Sequence, residues 1–93
     1  MIRIEMTTER QTIGVRVLFF ARAHELAGTS RGTLELPAGA RVADAQAELR
    51  SKYPALAPFI DRCRIAVDEE FAEPERELTE GCELAVLPPV SGG

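Results

Sequence analysis

Ninety-three residues, 45% of them apolar, are enough for one domain around one core and leave no room for a separate cofactor-binding domain. A net charge of −4 disfavours nucleic acid as a partner, since nucleic-acid binders carry a basic stripe. The apolar runs are far shorter than the ~20 residues of a membrane span, and the start Met1-Ile2-Arg3-Ile4-Glu5 has no signal-peptide apolar region, so no membrane partner and a reducing, cytoplasmic setting are expected.

In chain order, residues 1–13 read as an N-terminal extension. Ile2, Ile4 and Met6 alternate with Arg3 and Glu5, but a patternless polar stretch follows. The segment is expected to be loosely held, or at most an added edge strand. Gly14 punctuates the chain, and Val15 to Ala21 reads as a central strand rich in β-branched and aromatic residues. Arg22 to Ala27 allows one helical turn closed by Gly28. Thr33 to Leu36 alternates and predicts a second strand, antiparallel to the first. Pro37 to Ala40 is a turn.

The best helix follows. Val42, Ala45, Leu49 and Tyr53 share one face of a 3.6-residue period. Arg41 is a poor N-cap, partly offset by Asp44 in the first turn. Pro54 ends the helix and Pro58 predicts a loop. Arg64 to Val67 reads as a third strand, Asp68-Glu69-Glu70 as a turn, and Phe71 and Leu78 as apolar anchors of a short irregular stretch. Glu80-Gly81 turns the chain into a last strand, Glu83 to Leu87. The order β-β-α-β-(short β)-β predicts an α+β roll: a mixed sheet, first and last long strands side by side, one main helix across one face.

Charge and chemistry are unevenly placed. Residues 68–83 hold eight acids and one base, Arg76; the first 67 residues hold ten bases and seven acids. The acidic stretch is either a solvated edge or a surface that steers a basic partner. Cys63 and Cys82 have no C-x-x-C spacing and read as small, half-buried hydrophobes near strand starts; with one His in the chain, no metal site is expected. His24 reads as a solvent-facing helical residue, and Arg16, Arg22 and Arg31 as surface charges. Alternation sends Phe19 and Phe20 to opposite faces, so one of them can join Leu87 in an apolar partner patch.

The most informative segment is Pro88-Pro89-Val90-Ser91-Gly92-Gly93. Consecutive prolines hold the backbone extended and cannot donate to a sheet, so the chain leaves the domain here. The five residues from Pro89 to Gly93 reach roughly 15 Å. A Gly-Gly end can enter a channel too narrow for any side chain, and its last carbonyl is open to approach from every side.

Two segments carry a resemblance: Val15-Arg16-Val17-Leu18-Phe19-Phe20-Ala21-Arg22 with Glu25-Leu26-Ala27-Gly28, and Glu80-Gly81-Cys82-Glu83-Leu84-Ala85-Val86-Leu87-Pro88-Pro89-Val90-Ser91-Gly92-Gly93. They are similar to the small-subunit family of molybdopterin synthase, ubiquitin-like sulfur carriers, over roughly 80 residues from about Gly14 to Gly93. Cys82 stands where the family often has an acidic turn residue, and Asp68 where Asn is common. The resemblance implies a β-grasp domain over 14–87 and an extended tail over 88–93. It implies that a ubiquitin-activating-type adenylyltransferase, using ATP and magnesium, converts the Gly93 carboxylate to an acyl-adenylate. A persulfide donor then leaves a thiocarboxylate on Gly93. The tail next enters the large catalytic subunit, in a heterotetramer, and sulfur passes to a cyclic pterin precursor to build the molybdopterin dithiolene. On this reading the chain binds no cofactor and is no catalyst alone. Two alternatives stay open: a sibling carrier serving thiazole or cysteine synthesis, and a ubiquitin-like modifier joined to lysines through Gly93.

Overall fold

A computed structural model describes residues 12–89. Strand β1 runs from Thr12 to Phe19 and turns into helix α1, Ala21–Ala27; β2 is Arg31–Pro37 and α2 is Val42–Lys52. A 3-10 helix, Ala57–Arg62, leads to β3 (Arg64–Val67), β4 (Glu70–Phe71) and β5 (Glu83–Leu87). The sheet order is β2-β1-β5-β3-β4. β1 is antiparallel to β2 and parallel to β5, and β3 is antiparallel to both β5 and β4. This is the mixed β-grasp roll that the element order and the resemblance predict.

Period-two alternation puts Val15, Val17 and Phe19 of β1, Leu34 and Leu36 of β2, Ile65 and Val67 of β3, and Leu84 and Val86 of β5 on one face. Val42, Ala45 and Leu49 of α2 cover that face, and Leu56, Ile60 and Leu78 fill its margins. Tyr53 closes the rim, its ring edge-on to Phe19 at 4.9 Å.

The entry to α2 shows how the chain manages an N-cap without a capping side chain. The Asp44 carboxylate accepts the Arg41 N–H at 2.8 Å. Carbonyls of a distant segment take the next donors: Val42 N–H donates to Arg76 and Ala43 N–H to Pro74. Leu78 N–H in turn donates to the Ala40 carbonyl. The stretch between β4 and β5 is thus tied to the helix start, which accounts for the burial of Leu78.

Apart from shifts of one or two residues at other element ends, the structure departs from the sequence expectations in three places. β1 begins at Thr12, pairing Thr12 with Pro37 and Ile13 with Leu36, so the sheet takes in the last two residues assigned to the extension. Residues 1–11 of that extension lie outside the described residues. The expected loop at Pro58 is a 3-10 helix: proline fits its first turn, where no N–H is needed, and Ile60 packs inward. Phe71 is no inward anchor; its side chain lies on the face away from α2 and is 63% exposed.

Candidate functional site

The root of the C-terminal tail is fixed by the centre of the sheet. β5 is hydrogen-bonded on both sides, and its last residue, Leu87, pairs with Arg64 of β3. On the other side Phe20 N–H donates to the Val86 carbonyl at 3.3 Å. Pro88 follows and has no N–H, so neither flanking strand can be extended along it. Pro88 is half-buried and Pro89 exposed, while Val90, Ser91, Gly92 and Gly93 lie outside the described residues. The chain therefore leaves a rigid anchor at a fixed position.

Two surfaces meet at this root. The first is the sheet face opposite α2. Residues Leu18, Ala85, Ala66 and Phe71 form one cross-strand row over β1, β5, β3 and β4. Phe20 and Leu87 lie one step further toward the tail, and with that row they line a shallow depression rimmed by Glu69 and Glu83. Phe20 (44% exposed) and Phe71 (63%) are the large exposed apolar residues among those described. The small side chains of Ala66 and Ala85 leave the depression between them. The Arg64 guanidinium stacks over the Phe71 ring at 3.9 Å from its centroid, which holds the ring in place without covering it from the solvent side. Phe20 is set by the backbone beside it: Ala21 takes a left-handed φ of 50°, a strained angle for alanine, and turns the chain sharply into α1.

The second surface is a cavity of about 320 Å³ on the other side of the root. Its walls are Ala23 and Leu26 of α1, Leu56 and Phe59 by the 3-10 helix, and Pro88 and Pro89; Arg22, Arg62 and Cys63 complete it. The Cys63 thiol donates to the Phe59 carbonyl at 3.4 Å, and burial raises its pKa above the ordinary thiol value, so it is a poor nucleophile. Cys82 is fully buried in the core. His24 is exposed on α1. Among the described residues there is no group of three or more His, Cys, Asp or Glu able to hold a metal ion, and no helix long and apolar enough to cross a membrane.

Of the expected interface residues, Phe20 and Leu87 stand together on the open face. Phe19 does not join them: it is 3% exposed and packs under α2, because alternation puts it on the core side. The acidic stretch divides by role. Asp68 Oδ1 accepts the Glu83 N–H at 3.0 Å, Glu80 Oε1 accepts the Gly14 N–H at 2.9 Å, and Glu70 pairs with Arg76 at 3.9 Å, so these acids tie the local fold together. Glu83 also pairs with Arg16 at 3.7 Å. Glu69 and Glu83 stand at the rim of the open face. Sequence reasoning missed Phe71 and the whole cavity; the small residues Ala66 and Ala85 at outward positions were the available signal for the open-face depression.

Comparison with known proteins gives the fold a family context. The model of the ThiS family matches residues 17–93. A molybdopterin synthase sulfur carrier subunit from Chlamydomonas reinhardtii is 37% identical over 81 residues, covering 85% of this chain and 98% of the relative. Among solved structures, a molybdopterin converting factor subunit 1 from Pyrococcus furiosus superposes with a TM-score of 0.78 at 32% identity, covering 84% of this chain and 99% of that one. The small archaeal modifier protein 1 of Haloferax volcanii superposes with a TM-score of 0.79 at 27% identity, covering 84% of this chain and 99% of that one.

Proposed function

Because the chain belongs to the ThiS family, we propose that it is the sulfur carrier subunit of molybdopterin synthase, with the Gly93 carboxylate as its reactive group. The observation that carries this reading is the tail root: a strand held on both sides at the centre of the sheet, stopped by Pro88-Pro89, and flanked by an open apolar face. Relatives of nearly the same length, named as sulfur carrier subunits of that enzyme, support it.

The chemistry follows from what a carboxylate lacks. It is a poor electrophile until its oxygen becomes part of a good leaving group. A ubiquitin-activating-type enzyme, with ATP and magnesium, supplies that group by forming the Gly93 acyl-adenylate and releasing pyrophosphate. The terminal sulfur of a persulfide donor bonds to the Gly93 carbonyl carbon as AMP departs. A thiol then reduces the resulting acyl disulfide and takes the donor sulfur into a disulfide of its own, and the freed thiocarboxylate delivers sulfur to the cyclic pterin precursor in the large subunit. Around Pro88 and Pro89 the described titratable groups are Arg22, Arg62 and Cys63, none of them suited to act as a general base at neutral pH. General bases and oxyanion donors come from the partners, and the chain acts as a cosubstrate. The open face with Phe20, Phe71 and Leu87 is the surface that the large subunit covers while the tail is inserted.

Mass spectrometry of the chain purified from its native host tests the reading. The expected result is replacement of one oxygen by sulfur at the C-terminus. A second reading, favoured by the likeness to the archaeal modifier protein, is conjugation of Gly93 to protein lysines. Isopeptide-linked adducts, with only free carboxylate on the unlinked chain, would establish that reading and overturn the first.

A further inference from the structure

The chain carries ten arginines and one lysine, Lys52. Lys52 Nζ donates a hydrogen bond to the Thr33 carbonyl at 2.8 Å and lies 5.9 Å from the centre of the Tyr53 ring. Thr33 belongs to the cross-strand row Thr33–Arg16–Glu83, at the opposite end of β5 from Leu87. At the tail root itself the cations are arginines: Arg22 and Arg62 line the same cavity as Pro88 and Pro89.

Positions 22 and 62 share that cavity with Pro89, from which the length of the remaining chain is counted. Four residues follow Pro89, a span of roughly 13 Å, and a long side chain at 22 or 62 adds its own length. Either a lysine or an arginine stem would cover the apolar wall of Leu26 and Phe59 and put a positive charge in solvent. The two residue types differ in reactivity. A primary amine is acylated by an activated carbonyl, whereas a guanidinium stays protonated and is not.

We propose that the chain keeps amines away from its own activated tail, with arginine at positions 22 and 62 preventing self-acylation and Lys52 left as the single internal site for an isopeptide bond. The inference rests on the carrier reading, which places an acyl-adenylate on Gly93. The reaction avoided is simple. An amine nitrogen would bond to the Gly93 carbonyl carbon, the bond from that carbon to the AMP oxygen would break, and the amine proton would pass to water as AMP departs. The product is a lariat that no longer accepts sulfur.

The test compares the parent chain with Arg22→Lys, Arg62→Lys and Arg41→Lys. The last lies at the start of α2 and outside the cavity. Each is incubated with the activating enzyme, ATP and magnesium without a sulfur donor, and followed by pyrophosphate release, intact mass and peptide mapping. The expected result is a product one water lighter, linked between Gly93 and residue 22 or 62. It should become the main product in those two variants and be absent from the parent and from Arg41→Lys. Pyrophosphate release with no lariat in either cavity variant would overturn the proposal, as would an equal yield from Arg41→Lys. Pyrophosphate release from none of the chains would instead overturn the carrier reading, and this inference with it.

Discussion

The two faces of the sheet are built by the same strands and do different work. On β1, Val15, Val17 and Phe19 point toward α2 and are 1–3% exposed, while Arg16, Leu18 and the following Phe20 point away from it. On β5, Leu84 and Val86 are fully buried, while Glu83, Ala85 and Leu87 are partly open. One face is finished within the chain. The other has a continuous apolar row, two exposed phenylalanines and an acidic rim, and nothing among the described residues covers it. Apolar surface of that kind is favourably removed from water by a partner. The first face holds the tail root still; the second leaves apolar surface open beside it.

Substitutions that respect or violate this division can break the comparison. The largest effect is expected inside. Leu84→Ala, on the central strand at 0% exposure, should lower unfolding free energy by about 3 kcal/mol in a urea titration. The next is on the open face. On the carrier reading, Phe20→Asp should weaken binding to the large synthase subunit by about 2 kcal/mol in calorimetry and change stability by no more than about 0.5 kcal/mol. If Phe20→Asp proved as destabilising as Leu84→Ala, the two faces would not differ in kind.

The smallest effect is a pH dependence at the cavity beside the root. Burial raises the Cys63 pKa in the folded chain above the ordinary thiol value of 9.0, so folding favours the protonated thiol. That contribution is fully present below pH 9 and is lost as the pH rises through the folded-state value. Stability of the parent should therefore fall more steeply above pH 9 than that of Cys63→Ala, measured by thermal unfolding across that range. Parallel curves would show that the thiol is as well solvated folded as unfolded.

Much of this division was legible in the sequence because alternation is a strong signal on long strands. Arg64–Val67 and Glu83–Leu87 match the expected strands residue for residue, and α2 has the predicted buried face. The same signal separated Phe19 from Phe20. It failed at Phe71, since β4 is two residues long and two residues have no period. It also failed at Pro58, where a proline reads equally as a loop or as the first turn of a 3-10 helix. The cavity was invisible for another reason: its walls come from α1, the 3-10 helix and the end of β5, and no local pattern links segments so far apart. The proposed reactive end, Gly93, rests on the sequence, in the proline pair and the paired glycines, and lies outside the described residues.

The central position of β5 has a consequence for synthesis. The strand made last lies between β1, made first, and β3, so the sheet is two separate pieces until residues 83–87 arrive. A nascent chain on the ribosome cannot close its core early, and domains fold as units once their parts are present. A product cut short before Leu87 lacks the strand that joins the two pieces, and so stays open to proteolysis.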